Sequence, residues 1–150
     1  MNNLQEGSYL IKILVLIMFL VPTIINYKYK RKNILDVKKS TKEIIWVVAL
    51  LIVGSYLCYR FDNTVLGYLI VLAATMMLYT SVFFQGFTEK RINIFLGTSP
   101  ILKFVKFDEI NTIDMKENDK DELIVTIEAF GTTFVQVYNK ETGMNIFKDN

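Results

Sequence analysis

An unbroken run of 22 uncharged residues, 65–86 (VLGYLIVLAATMMLYTSVFFQG), constrains this chain most, because a protein of 150 residues has no soluble core deep enough to bury it. Two shorter apolar runs precede it. Residues 10–25 (LIKILVLIMFLVPTII) carry Lys12 as their one charge, and residues 44–59 (IIWVVALLIVGSYLCY) carry none. At ~1.5 Å rise per residue these two fall short of a ~30 Å hydrocarbon layer unless their flanks join in. The flanks are suited to that. Lys12, Lys42 and Arg60 have long stems that reach an interface, and Tyr9, Tyr27, Trp46 and Tyr59 place amphipathic rings near the ends. The sequence therefore predicts transmembrane helices at about 9–26, 44–60 and 65–86. The first reads as a retained span and not a cleaved signal peptide, since Glu6 precedes it and no A-x-A-like site follows.

Lys/Arg bias sets the expected direction. The connection 27–43 holds seven bases, Lys28, Lys30, Arg31, Lys32, Lys38, Lys39 and Lys42, against Asp36 and Glu43, whereas the connection 60–64 holds one Arg and one Asp. The basic loop is expected inside, with the N-terminus outside and everything after residue 86 in the cytoplasm, in a multi-pass protein of the plasma membrane. At ~1 kcal/mol per base, anionic headgroups would also pin this loop to the lipid. The short 60–64 link forces the second and third spans into an antiparallel hairpin, and Gly54 and Cys58, four residues apart, share a face open to close approach. Gly67, Ala73, Ala74 and Ser81 offer further contact points.

After residue 86 the hydropathy pattern changes from continuous to alternating. Leu123, Val125, Ile127 and Ala129 fall on one face of a strand while Thr126 and Glu128 fall on the other, and Gly131 marks a hairpin before a second strand at 132–138. Segments 92–96, 101–107 and 110–116 are three more candidate strands. Residues 1–86 thus form the transmembrane domain, and residues 87–150 a cytoplasmic antiparallel meander of about five strands. The net charge divides likewise, +5 before the boundary and −3 after it.

The stretch Gly86-Phe-Thr-Glu-Lys-Arg-Ile-Asn-Ile, then Phe104-Val-Lys-Phe-Asp-Glu-Ile, then Leu-x-Val-x-Ile and Phe-x-Gln-Val strands, resembles the bacterial pleckstrin-homology-like domains that follow membrane hairpins in small membrane proteins. Those domains open a strand with T-x-x-G-I and precede the next with I-x-W-x-D/E-I. Arg91 stands here in place of the glycine and Phe107 in place of the tryptophan, while Ile110 is retained. The resemblance spans about 86–138 and implies a partial, abbreviated barrel used for scaffolding or binding. Complete members have seven strands and a long C-terminal helix, for which only 139–150 remain.

Counting removes much chemistry. With no histidine and one cysteine, Cys58, there is no disulfide framework, His-ligated metal or His-dependent triad. The acidic cluster Asp114, Glu117, Asp119, Asp121 and Glu122 lacks the glycine an EF-hand loop requires and reads as a solvated loop. Adjacent carboxylates such as Asp108 and Glu109 point to opposite faces of a strand, and no nucleophile elbow, P-loop or dinucleotide fingerprint occurs. An enzyme, a cofactor and a nucleic-acid partner are not expected. The reading that remains is a membrane accessory or regulatory protein presenting a β module to another membrane protein or a second copy; the alternative is a self-protection protein of the bacteriocin-immunity kind. The uncharged strands 92–96 and 132–138 are the expected sheet edges, with Asn93, Phe95, Phe134 and Gln136 as candidate docking residues and the tail 140–147 as a competing cover.

Overall fold

The computed structural model describes residues 2–118, 120–141 and 143. Three helices come first: α1 (Asn2–Lys30), α2 (Thr41–Phe61) and α3 (Val65–Phe83), all long and apolar enough to cross a membrane. The first outruns its expected bounds at both ends. Its last turn stays helical through Lys28 and Lys30, whose charges complement the negative end of the helix dipole. By contrast α3 stops at Phe83, the chain bends at Phe84 and it becomes extended at Gly86.

In the bundle α3 is the central element, with 28% of its apolar window buried against 6% for each neighbour. Small residues make that possible. A Cβ on Gly54 would sit 2.9 Å from Val71 Cγ1, and one on Gly67 would sit 2.8 Å from Cys58 Sγ, so α2 and α3 approach where side chains are missing. Ala73 and Ser81 are buried too, as their place among the contact points anticipated. Across the far end of the bundle Lys12 of α1 pairs with Asp62 in the α2–α3 link.

Among the described residues, seven strands follow a different plan from the expected five-stranded meander. They are β1 (Leu35–Asp36), β2 (Gly86–Phe87), β3 (Arg91–Ile94), β4 (Lys103–Lys106), β5 (Thr112–Asn118), β6 (Glu122–Ala129) and β7 (Thr132–Asn139). They form two antiparallel sheets, one ordered β1-β2-β3-β4 and one ordered β5-β6-β7. The first strand lies before α2, inside the basic connection that the sequence assigned to the membrane surface. It escapes a pattern search because two residues are too few to show alternation. Gly86 is what lets it dock: a Cβ there would lie 2.3 Å from the Leu35 carbonyl oxygen.

Face to face, the sheets enclose one core. Leu35, Phe87, Ile92, Ile94 and Val105 from the first meet Leu123, Val125, Ile127, Ala129 and Tyr138 from the second. On one side the layers are stitched by Lys38 N–H donating to the Val137 carbonyl at 2.7 Å; on the other, β4 passes to β5 through a 3₁₀ turn (Phe107–Glu109), and Lys103 of β4 lies over the Phe130 ring of the β6–β7 turn. The β6–β7 hairpin turns at Phe130 and Gly131, where φ is +55° and +70°, the left-handed pair that a two-residue turn needs. Of the tail 140–147, Lys140, Glu141 and buried Gly143 are helical, and 142 and 144–147 lie outside the described residues.

Leu35→Ala is expected to cost the β domain about 2–4 kcal/mol, because it empties a site walled by both sheets. Amide exchange of β6 in the full-length protein in mild detergent measures this. Protection equal to wild type would show that β1 is not part of the core.

Candidate functional site

The polar side chains that join helices to sheets gather at the Lys30 end of the bundle. Asn26, fully buried near the end of α1, is the junction. Its Nδ2 donates to the Pro100 carbonyl at 2.8 Å and to Ser81 Oγ at 3.3 Å, and its Oδ1 accepts from Leu102 N–H at 2.9 Å. Ser81 Oγ also donates to the Pro100 carbonyl, at 2.6 Å. One side chain thus ties α1, α3 and the β3–β4 loop together, and Leu102 closes over Phe83 and Phe84 beside it.

The seven bases of 27–43 are spread over distinct tasks. Lys30 pairs with Asp36 and lies over the Phe84 ring, and Lys39 donates to Tyr79 Oη at 2.8 Å while lying over the rings of Tyr79 and Phe83. Lys38 pairs with Glu122 at 2.7 Å, joining the basic connection to the acidic cluster. In that cluster Glu117 also pairs with Lys140 and Asp114 with Lys116, while Asp119 lies outside the described residues. Lys28, Arg31, Lys32 and Lys42 are exposed and make no ion pair among the described residues.

A cavity of about 570 Å³ opens between the start of the basic connection, the β2–β3 hairpin and the outer face of β4. Four bases line it, Lys32, Lys90, Arg91 and Lys106, against one acid, Glu89. The Arg91 guanidinium carbon lies 4.7 Å from the Phe104 ring centre and 5.7 Å from that of Tyr29, so two aromatic faces hold it in place. Lys32 belongs to the basic connection that the sequence singles out, but Lys90, Arg91 and Lys106 escape sequence reading because they come from two other segments that are not long runs of bases.

The expected edge strands need correction. β3 is an inner strand between β2 and β4, and Asn93 is wholly buried, its Nδ2 donating to Asn33 Oδ1 at 2.7 Å. Gln136 faces inward, in register with core residue Val125, and its Nε2 bridges the two sheets by donating to the Asn93 carbonyl at 3.0 Å. Phe95 and Phe134 are half-buried against the two apolar clusters. β7 does end its sheet, and the Lys38 contact caps it at Val137. The open border is β5, in which every residue is exposed although Ile113 and Met115 pair across with core residues Ile127 and Val125. No layer of the first sheet reaches over them.

The chain matches no protein-family model, no curated protein and no solved structure.

The Lys38 ammonium holds the Glu122 carboxyl below its ordinary value of 4.5. A lowered value means that the pair's contribution is complete above pH 4.5 and is lost as pH falls through the lowered value. Acidification is therefore expected to lower the exchange protection of the Lys38 amide, which closes the β1–β7 side, and Lys38→Gln to remove that pH dependence. A pH dependence of Lys38 protection that is the same in wild type and in Lys38→Gln would show that the pair does not hold the stitch.

Proposed function

We propose that this is a non-enzymatic integral membrane accessory protein whose β domain is a docking module held rigidly at the inner membrane surface. From Lys12 to Lys30 the first helix measures ~27 Å at 1.5 Å per residue, close to the ~30 Å hydrocarbon layer. The Lys12–Asp62 pair then marks one interface and the basic connection the other, and the excess of bases at the second argues that it is cytoplasmic. The pleckstrin-homology-like reading draws support from the four-plus-three antiparallel arrangement around one core, with the difference that the first strand comes from between two helices.

The observation that carries the docking role is β5. Seven residues with one unpaired border and two half-covered apolar side chains, Ile113 at 39% and Met115 at 42% exposure, make a surface suited to strand addition. Its height is fixed, because the sheets are anchored to the helices through Asn26, Asn33 and Gln85 rather than through a flexible tether. A partner in the same membrane would meet this border at a constant distance from the bilayer.

Two experiments test the proposal. Alkaline phosphatase fused after Asn150 is expected to be inactive and a fluorescent protein there to glow, and the opposite pattern rejects the orientation. A photo-crosslinker at Met115 in intact cells is expected to yield a discrete adduct that one at exposed Val135 does not. Equal labelling, or none, removes β5 as the docking border. Protection against a peptide toxin without any adduct favours the immunity reading instead.

A further inference from the structure

The basic cavity beside the end of α1 has no role in strand docking, and its chemistry asks for a ligand of its own. Four cationic side chains converge on about 570 Å³, and among the described residues none of them forms an ion pair. Elsewhere at this end of the molecule Lys30 has Asp36, Lys38 has Glu122, and Lys39 has the Tyr79 hydroxyl and two rings, while Lys28, Arg31 and Lys42 make no ion pair among the described residues but do not line this cavity. Clustering like charges without a counter-charge is unfavourable, so a cavity built this way is completed by an anion.

The geometry narrows the anion. Arg91 sits over the rings of Phe104 and Tyr29, which meet at 75°, and this corner restricts where its guanidinium can lie while its N–H donors can make a two-point contact of the kind phosphate and carboxylate oxygens accept. Lys90 and Arg91 sit on the hairpin after β2, and Thr88 closes that hairpin by donating, through both N–H and Oγ1, to the Arg91 carbonyl at 2.9 Å. The two bases are thereby placed before a ligand arrives. An excess of three positive charges exceeds what a lone carboxylate would balance and suits a phosphate ester. Lys32 follows the last turn of α1, so in the orientation proposed above the cavity mouth lies at the depth of lipid headgroups.

We infer that the Lys32, Lys90, Arg91 and Lys106 cavity is a binding site for one phosphate ester, as carried by an anionic phospholipid headgroup. The site needs no protein partner and stands apart from the docking border on β5. Its selectivity is for net negative charge, since a choline group would bring a cation into an already basic pocket.

Calorimetric titration of the full chain in a neutral maltoside detergent tests this, with dioctanoyl phosphatidylglycerol, dioctanoyl phosphatidylcholine and inorganic phosphate as probes. The expected result is saturable one-to-one binding of phosphatidylglycerol, with phosphatidylcholine bound at least about tenfold more weakly. Inorganic phosphate binding as tightly as phosphatidylglycerol would assign the site to a soluble phosphate; binding far more weakly would assign it to the lipid. Arg91→Gln is expected to weaken binding about tenfold or more, and Lys90→Gln with Lys106→Gln, both on exposed side chains, to do so even if Arg91→Gln fails to fold. Lys28→Gln with Arg31→Gln removes the same charge outside the cavity and is expected to leave affinity within about twofold of wild type. Equal loss in this control, equal binding of phosphatidylcholine, or no saturable binding of either anionic probe would overturn the inference.

Discussion

A single buried carboxamide decides how the two halves of this molecule relate. Asn26 sits where α1 runs out of apolar surroundings, and both ends of its side chain are committed, the amide to α3 and Pro100 and the carbonyl to the Leu102 N–H. In a site closed to water, a hydrogen bond is strong and its absence costly, so the β3–β4 loop has little freedom to sit elsewhere. Leu102 is carried with it into the apolar end of α3, against Phe83 and Phe84. The position of the whole first sheet follows, because β3 and β4 are the two ends of that loop.

Polar groups continue the connection into the β domain. Gln85, two residues after α3, accepts from the Phe95 N–H and from Gln136 Nε2, and Gln136 in turn accepts from the Tyr138 hydroxyl inside the core. Burial raises the pKa of that hydroxyl well above the usual tyrosine value, so it remains a donor. The chain from helix end to core contains no charged group. It joins the layers by directional bonds that apolar packing alone would not supply.

The three helices were legible because each is a long apolar run, and the β6–β7 hairpin because its alternation and its Gly131 turn are strong local signals. The small-residue contact between α2 and α3 was readable from Gly54 and Cys58 for the same reason. Two-residue strands such as Leu35–Asp36 carry no period and hid inside a run of lysines. Asn26 looked like the polar end of a span, though one amide at the close of an apolar run was the available hint. The segment 92–96 reads as an edge because the strand before it, β2, is two residues long and carries no pattern, whereas its other neighbour, β4, falls within the expected strand 101–107. The Arg91 cavity is a purely tertiary object, assembled from residues that are distant in the chain and ordinary when taken singly.

The placement of β1 also orders the events of biosynthesis. Leu35 leaves the ribosome before α2 and α3 are made, yet its sheet partner Phe87 follows both of them. During that interval the strand has no template, and the lysines around it keep the nascent segment soluble. Closure of the first sheet therefore reports that the helical hairpin has been completed, and a ribosome that stalls within α3 leaves a chain whose earliest strand has nothing to pair with.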